Sequence, residues 1–482
     1  MYEKKNREAQ KQIQFVSLDD LVPQNHILRT IDKAIDFSFI YDLVKDLYSP
    51  NDSGRPGIDP VSLFKIIFIQ YLFGIRSMRQ TIKEIDVNLA YRWFIGYSLD
   101  ESIPHFSTFS KNYTRRFKDT DIFEQIFFHI LKEADANGFI DASAVFIDGT
   151  HIKASANKNK KERITVNKPV KQYQKELESE IDNDRKNHDK KPLKKSDDDN
   201  PETKEISQSK TDPESGMFQK GEHERCFAYV ANTACDRHNF ILDFELGAGN
   251  IHDSQMFHGL YNKLKDRMTQ TQVIAVDAGY KTPGIMKEII DSEKIPAVPY
   301  KRPMTKEGFF KKYEYAYDEY YDCYLCPANQ VLRYSTTNRE GYREYKSNPE
   351  ICKSCKLIGQ CTESQEKIKV VTRHVWADYM DLAEEYRYVP EYRDIYKLRC
   401  QTIERVFADA KEKHAMRYTQ LRGLQKVKMQ VTLTFACMNL KKLAMWKKKR
   451  WDILLLFKMT LIFLRKIMKN TWITKEKDFC CG

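Results

Sequence analysis

The sequence lacks the features of a membrane or secreted protein. Its 482 residues contain no uninterrupted apolar run of 18 residues, so no segment has the pattern of a transmembrane helix. The first 15 residues lack the apolar stretch of a signal peptide, which argues against secretion. The cysteine count of 11 is odd, and without a signal peptide a disulfide framework is not expected. We therefore expect a reduced, cytoplasmic protein, with roughly three domains at about 150 residues each.

Positive charge is concentrated towards one end of the chain. The net charge is +12, and residues 399–482 contain 20 basic but only 6 acidic side chains. The rest of the chain is therefore close to neutral. A basic segment on a near-neutral body indicates a polyanionic partner, most often nucleic acid. A solvated basic tail without a partner is the alternative that charge alone leaves open.

Residues 15–135 have the pattern of a helical domain. Asp59 followed by Pro60 marks the start of a strongly apolar helix. Two short helices are predicted next, and then a helix capped by Ser107. That last helix is expected to expose Ser110, Lys111, Tyr113, Arg115 and Arg116. Short helices followed by a basic helix fit a helix-turn-helix-like DNA-binding domain, and an ordinary helical bundle is the alternative.

The pattern changes to short strands near residue 144. Five strands are predicted, at residues 144–154, 225–236, 238–249, 273–277 and 295–300. The first three are joined directly and the later ones alternate with helices, which indicates an α/β domain with a mixed sheet. The ribonuclease-H-like fold has this order of elements. It places carboxylates on its first strand, just after its fourth strand and on a later helix.

The remaining segments suggest how the chain is divided. We expect the α/β core to begin at residues 140–300 and to be completed by helices at 389–446. Within the core, residues 155–215 are crowded with charges and poor in large apolar side chains, so they are expected to be mostly disordered or a loose charged helix. Residues 301–388 contain five cysteines and do not continue the α/β pattern. Residues 447–482 form a basic tail.

Three acidic residues stand where metal chemistry would need them. Asp148 follows three apolar residues inside its predicted strand, and Asp277 follows an apolar run in the same way; carboxylates at the C-terminal ends of adjacent strands project into one crevice. Glu404 lies in a later helix, on a stripe that is expected to face the protein body, where an acid is costly unless paired or metal-bound. Such a cluster could hold two Mg²⁺ ions about 3.5–4 Å apart for phosphodiester chemistry. Taken singly, each acid could instead cap a turn or pair with an arginine.

The residues around Glu404 fit the handling of phosphate. Tyr396, Arg399, Glu404 and Lys411 follow the spacing Y-x2-R-x4-E-x6-K. Lys411 comes seven positions after Glu404, so the two share one face of a helix. Arg399 could donate two hydrogen bonds to a phosphate, and Arg417 extends the basic track.

Several sequence blocks resemble those of DDE-type transposases of bacterial insertion sequences. They are FIDGTHIKASANK at 146–158, TDPESGMFQKGEHERCFAY at 211–229, GNIHDSQMF at 249–257, VDAGYKTP at 276–283 and IERVFADAKEKHAMRYTQLRGL at 403–424. The block GRPGIDPVSLFKIIFIQYLFGIRSMRQ at 54–80 resembles the helical N-terminal domain of the same enzymes. The resemblance covers about residues 15–446. The family signature usually has three residues between its arginine and glutamate, whereas this chain has four.

The resemblance implies a catalytic triad of Asp148, Asp277 and Glu404 that holds two Mg²⁺ ions. It also implies an enzyme that binds the inverted-repeat ends of its element, cleaves them and joins them to target DNA. A homodimer on DNA is expected. Two alternatives stay open: a decayed or repurposed transposase that only binds DNA, and a nuclease of the same fold without strand transfer.

The cysteines between Asp277 and Glu404 suggest a second metal. Two C-x2-C pairs are present, Cys323 with Cys326 and Cys352 with Cys355, and Cys361 follows the second pair. Each pair can supply two ligands to a shared ion from a tight turn. One structural Zn²⁺ on the two pairs is expected, with Cys361 as a substitute ligand. Reduced, partly buried thiols without metal are the alternative.

His252 and Asp253 suggest a further metal position. They come directly before a predicted helix. We expect Asp253 to cap that helix and His252 to orient the loop, with metal ligation as the alternative.

Overall fold

The chain divides into two compact units. The computed structural model describes residues 15–48, 57–167, 173–193, 203–221, 224–302 and 304–478. One unit combines residues 1–140 with 407–482, and the other consists of residues 141–406. No helix in the described part of the chain is long and apolar enough to cross a membrane.

Helices form the first unit, and helices with two sheets form the second. The α-helices are α1 (Leu18–Leu21), α2 (Ile27–Ala34), α3 (Phe39–Val44), α4 (Pro60–Leu72), α5 (Met78–Val87), α6 (Leu89–Ile95), α7 (Ser107–Asn112), α8 (Ile122–Ala136), α9 (Gln174–Asn187), α10 (Asp253–Lys265), α11 (Pro283–Asp291), α12 (Pro349–Lys353), α13 (Ile358–Cys361), α14 (Ala377–Tyr386), α15 (Pro390–Lys397), α16 (Ile403–Lys413) and α17 (Leu424–Asp478). The strands are β1 (Ala144–Lys153), β2 (Lys161–Asn167), β3 (Thr203–Ser209), β4 (Gly216–Lys220), β5 (Glu224–Cys235), β6 (Ile241–Ala248), β7 (Val273–Val276), β8 (Ile295–Ala297), β9 (Ala316–Asp318), β10 (Cys323–Leu325), β11 (Val331–Thr337), β12 (Tyr342–Lys346) and β13 (Val370–His374).

Local signals in the sequence start the helices of the first unit. Asp59 Oδ2 accepts a hydrogen bond from the backbone N–H of Ser62 at 2.7 Å, and Pro60 occupies the first position of α4. The side chains of Ser77 and Asn88 cap α5 and α6 in the same way. The predicted start of α4 is confirmed, and the two short helices expected after it are α5 and α6.

The helix predicted after Ser107 differs in detail. Helix α7 begins at Ser107 itself, and Nδ1 of His105 accepts a hydrogen bond from the Ser107 N–H at 3.3 Å. A π-helical turn at Tyr113–Phe117 follows. Tyr113 is buried and not exposed as predicted, because its ring packs in an aromatic cluster with Phe123.

The early part of α17 packs in the first unit. It lies against α8, α2 and α4, with Val427, Val431 and Leu440 fully buried. Helix α4 buries eight of its thirteen residues, as a central helix does. The sequence predicts that residues 389–446 complete the α/β core, but the structure groups 407–446 of this range with the N-terminal helices.

A mixed sheet of eight strands forms the centre of the second unit. Its strands run in the order β2-β3-β4-β5-β1-β7-β8, and β6 also pairs with β5. Strand β1 is antiparallel to β5 and parallel to β7, which is parallel to β8. The five predicted strands correspond to β1, β5, β6, β7 and β8, so the mixed α/β architecture is as expected.

The charged segment at residues 155–215 is more ordered than predicted. Strands β2 and β3 pair along seven positions and extend the sheet. Helix α9 buries Leu177 and Ile181 in a cluster with Trp376. Two stretches of the segment lie outside the described residues, 168–172 and 194–202. Of the two alternatives, the charged helix is found as α9, and it is docked because it has two apolar side chains one turn apart, although its average composition is polar.

Residues 316–374 form a second sheet, which is antiparallel throughout. Its order is β13-β12-β11-β10-β9, so successive strands are neighbours. A small core lies on one side of it, made of Tyr315, Tyr324, Leu332, Tyr345 and Val371. The sheet belongs to the same compact unit as the eight-stranded sheet.

A buried aspartate fastens α9 to the second sheet. Asp184 Oδ1 accepts a hydrogen bond from Nε of Arg343 at 2.6 Å, and its other oxygen accepts one from the Thr337 hydroxyl. The Asp184 side chain is only 5% exposed. One turn later, Nε2 of His188 lies 2.6 Å from a carboxylate oxygen of Asp322.

We predict that Asp184→Ala lowers the free energy of unfolding by about 3 kcal/mol, because it leaves Arg343 without its buried counter-charge. Urea denaturation followed by circular dichroism measures the change. Asp182→Ala on the exposed face of the same helix is the control, and its effect is expected to be within about 0.5 kcal/mol. Equal effects of the two variants would show that α9 does not depend on this ion pair.

Candidate active site

Asp148 and Asp277 occupy neighbouring positions on two parallel strands. Ile147 on β1 is paired with Val276 on β7, and an aspartate directly follows each of these two residues. Strand β7 ends at Val276, whereas β1 continues to Lys153, so Asp277 follows the end of its strand and Asp148 lies inside its strand beside that end. The structure therefore brings these two predicted site residues together.

Arg399 bridges the two aspartates. Its Nη2 donates to Asp148 Oδ2 at 2.6 Å, and its Nη1 donates to Asp277 Oδ1 at 3.1 Å. Nη1 also donates to the hydroxyl of Tyr396 at 3.3 Å. Arg399 is only 5% exposed. The sequence predicts that this guanidinium binds phosphate, but here it neutralises carboxylates, because a buried charge needs a counter-charge nearby.

Burial changes the acidity of the first aspartate. It raises the pKa of Asp148 to about 6, while Arg399 and the backbone N–H of Gly149 offset part of the rise. The negative charges of Asp277 and Asp253 raise this pKa further, since like charges disfavour ionisation. A carboxyl group that titrates near neutrality, beside charged partners in a crevice, is typical of a functional site.

A third aspartate, Asp253, lies beside the other two. A Cβ atom added to Gly149, the residue after Asp148, would be only 2.5 Å from Asp253 Oδ1, so a side chain does not fit there. That oxygen is buried and has no hydrogen-bond partner within the described chain. Burial also raises the pKa of Asp253. The predicted capping role is wrong, because Nδ1 of His252 accepts the hydrogen bond from the Ser254 N–H at 3.2 Å.

Two buried polar side chains hold the segments that carry these acids. Asn232 on β5 is paired with Gly149 and is fully buried. Its Nδ2 donates to the backbone oxygen of Asp253 at 3.3 Å, and its Oδ1 accepts from the Tyr280 hydroxyl at 2.9 Å. Tyr280 follows Asp277 by three residues, so the network links strand β1, the start of α10 and the turn after β7.

Glu404 is not on the face of α16 that the sequence predicts. The helix buries Ile403, Val406 and Phe407, whereas Glu404 is exposed. One turn earlier, Sγ of Cys400 lies 3.8 Å from Glu404 Oε1. The prediction failed because the residue after Ile403 is rotated by about 100° from it around the helix axis.

The acids meet the requirements of a hard divalent cation only in part. Carboxylate oxygens of Asp148, Asp253 and Asp277 are the ligands that Mg²⁺ prefers. However, the guanidinium of Arg399 lies between Asp148 and Asp277, and Glu404 is exposed. With the side chains oriented as they are across the described residues, no three His, Cys, Asp or Glu groups lie close enough together to hold a metal ion. The donor atoms fit a metal, while Arg399 supplies the positive charge in this arrangement.

The basic residues predicted on α7 and the following turn differ in exposure. Lys111 and Arg115 are exposed. Arg116 is half-buried, because its guanidinium lies 4.4 Å from the ring centre of Tyr48. Lys111 and Arg115 are therefore the side chains of this group that are open to a partner.

A basic cavity of about 590 Å³ lies in the first unit. Residues from α4, from the turn between α4 and α5, from α7, from 411–421 and from the start of α17 line it. Its basic side chains are Arg76, Lys411, Lys413, His414, Arg417 and Lys426. Glu412 also lines the cavity and forms an ion pair with Arg417. The structure thus places the predicted residues Lys411 and Arg417 close to the helix that carries Lys111.

Two family models match the chain. The Transposase domain (DUF772) model matches residues 16–115, and the Transposase DDE domain model matches residues 325–444. No curated protein and no solved structure matches it.

The first matched region contains Lys111 and Arg115, and the second contains Glu404, whereas Asp148 and Asp277 lie outside both. The DDE match supports an enzyme of the nuclease or transposase class. The two matches together confirm the resemblance to DDE-type transposases of insertion sequences, and a transposase of this class has DNA as its substrate.

The raised pKa of Asp148 predicts how stability depends on pH. The folded-state pKa of about 6 exceeds the ordinary value of 3.8, so the folded state binds more protons and loses stability as the pH rises from about 4 through 6. Asp148→Asn removes this loss. At about 1.4 kcal/mol per pKa unit, the variant is expected to gain up to about 3 kcal/mol over the wild type between pH 4 and pH 8.

Urea denaturation at several pH values, in buffer with a chelator, measures this gain. Glu404→Gln is the matched control, since it removes one carboxylate from an exposed side chain. A difference between Asp148→Asn and wild type that stays constant with pH would contradict the prediction.

Proposed function

We propose that the protein is a DNA transposase that acts on its own insertion sequence. It would bind the terminal inverted repeats, cleave the strands there and join the free 3′-hydroxyl ends to target DNA. The observation that carries this proposal is the pair Asp148 and Asp277 on neighbouring strand positions, in a chain that matches transposase models at both ends. A homodimer on DNA is part of the proposal, because two DNA ends need two active sites.

A ribonuclease-H-like fold is part of the same proposal. Its support is the strand order β6-β5-β1-β7-β8, with β1 antiparallel to β5 and parallel to β7. In that fold the first and fourth strands carry the acids. Here β1 carries Asp148, and Asp277 follows β7 directly.

The acids would serve phosphodiester chemistry. We propose that Asp148, Asp277 and Glu404 hold Mg²⁺, which when bound would activate the attacking oxygen and stabilise the leaving one. Glu404 is included in this set because it lies in the region that matches the DDE domain model, not because it contacts the aspartates. Asp253 would add a carboxylate beside Asp148. Arg399 would neutralise Asp148 and Asp277 and thereby keep them close.

DNA contacts are proposed for two surfaces of the first unit. One comprises the exposed Lys111 and Arg115, and the other is the basic cavity with Lys411 and Arg417. The proximity of the two within one unit supports a single DNA path. Tyr396 and Arg399 are assigned instead to the acidic site, because both are engaged there.

A second candidate function is a DNA-binding protein that no longer cuts. Two observations favour it: Arg399 lies where the two aspartates would share a cation, and Glu404 is exposed. DNA binding is common to both candidates. Only cleavage separates them.

Cleavage of end-labelled DNA from the borders of the element, in the presence of Mg²⁺, tests the first candidate. Replacing Asp148, Asp277 or Glu404 with Ala is expected to lower the rate more than about 100-fold. DNA affinity, measured by fluorescence anisotropy, should change less than about twofold, because none of the three lies on the proposed DNA surfaces. Asp182→Ala is the control and should cleave normally.

The outcomes are distinct for each acid. Efficient cleavage by a variant would remove that residue from the catalytic set. A wild-type protein that binds the ends but does not cut them would favour the second candidate.

The surface with Lys111 and Arg115 predicts a change in salt dependence. Each phosphate contact adds about 0.9 to the slope of log affinity against log salt concentration, so the double variant Lys111→Ala, Arg115→Ala should lose up to about 2 from this slope. Titrations of end DNA at several salt concentrations measure it. The double variant Lys33→Ala, Lys132→Ala removes the same charge from exposed positions on α2 and α8. If both double variants shift the slope equally, the effect is one of net charge and not of α7.

A further inference from the structure

We propose that Cys326, Cys352, Cys355 and Cys361 bind one Zn²⁺ ion, and that Cys323 is not a ligand. The site is separate from the acidic site of the proposed function. Its basis is a cavity of about 240 Å³ in the second unit that all four of these cysteines line and Cys323 does not. Four thiol groups around one small space are the donor set that soft, tetrahedral metal sites use.

The strand geometry separates Cys323 from Cys326. Cys323 lies in β10 and pairs with Asp318 and Arg333 on the neighbouring strands. Side chains three positions apart on an extended chain point to opposite faces of the sheet. Cys326 packs against the core that contains Tyr324 and Leu332, and Cys361 packs against that same core. Cys323 and Cys326, the first C-x2-C pair predicted from the sequence, therefore do not bind one ion together.

Cys326 sits in a tight turn suited to a thiolate. The Cys326 N–H donates to the Gln330 carbonyl at 2.9 Å, and the Gln330 N–H donates back to Cys326 Sγ at 3.4 Å. Asn329 closes the turn with φ at 54°, in the left-handed region. A backbone N–H that points at the sulfur stabilises its charged form.

The second pair lies at the end of a helix. Cys352 is in the last turn of α12, and the N–H of Cys355 donates to the Cys352 carbonyl at 3.1 Å. This turn places both residues on the cavity wall, as a C-x2-C pair requires. Cys361 ends the next helix, α13. The Lys369 ammonium group donates to the Cys361 carbonyl at 2.9 Å, which places a positive charge beside a site with four negative ligands.

The thiols must turn by side-chain rotation to reach a metal. Sulfur atoms that share a tetrahedral zinc at about 2.3 Å lie about 3.8 Å from one another. In the structure, Cys352 Sγ donates to the Ser347 hydroxyl at 3.3 Å, and Cys361 Sγ lies 3.2 Å from the Tyr315 hydroxyl. Both contacts are weak hydrogen bonds to hydroxyl groups, which the thiols can give up when a metal binds. Binding would replace them and tie α12 and α13 to the turn between β10 and β11.

Metal analysis of the purified full-length chain tests the proposal. Elemental analysis is expected to find about one zinc per chain in the wild type and in Cys323→Ser, and a loss of most of that zinc in Cys361→Ser. Replacement of the zinc by Co²⁺ should give the visible absorption of a tetrahedral site with four thiolates. These measurements do not depend on DNA cleavage, so they stand whether or not the protein is an active transposase.

Differential alkylation of the wild type identifies the ligands without any variant. Peptide mapping should show Cys326, Cys352, Cys355 and Cys361 becoming reactive only after chelation, with Cys323 unchanged by the chelator. A metal-free wild-type protein, a disulfide among the four cysteines or iron in place of zinc would overturn the proposal. Zinc that is lost in Cys323→Ser and kept in Cys361→Ser would overturn the ligand set.

Discussion

The geometry of the acidic site depends on one buried guanidinium. Arg399 donates hydrogen bonds to Asp148 and Asp277, residues that lie 251 and 122 positions away in the sequence. It thereby ties the connection between α15 and α16 to two central strands. Two carboxylates held this close, one inside β1 and one just after β7, would otherwise repel each other in a partly desolvated crevice. The second unit can keep them together because the cation is covalently part of the chain.

The same interaction bears on chemistry. A cation bound between Asp148 and Asp277 would do electrostatically what Arg399 does in this structure, so the two compete for one position. Asp253 adds a third carboxylate to the site, and its buried Oδ1 lacks a hydrogen-bond partner among the described residues. On the proposed function, a metal ion would replace the contacts of Arg399 with the two aspartates.

The two ends of the chain form one unit, and the middle forms the other. The N-terminal helices leave apolar surface that the first half of α17 covers, which explains why residues 407–446 do not join the sheet. In the second unit, polar contacts of Asp184 and His188 dock a highly charged helix on the second sheet. Such contacts stabilise a segment whose composition alone suggests disorder.

The sequence by itself determined the elements that rest on local interactions. The capped start of α4 at Asp59, the five strands of the α/β core and the positions of Asp148 and Asp277 all follow from neighbouring residues, because caps and apolar periodicity act within one or two turns. Only the tertiary structure decided which distant groups meet. Arg399 between the aspartates, Asp253 beside Gly149 and the cavity that Cys361 lines but Cys323 does not depend on strand register and on helix rotation. Residue spacing along the chain does not encode these features, because they arise from packing between segments far apart in sequence.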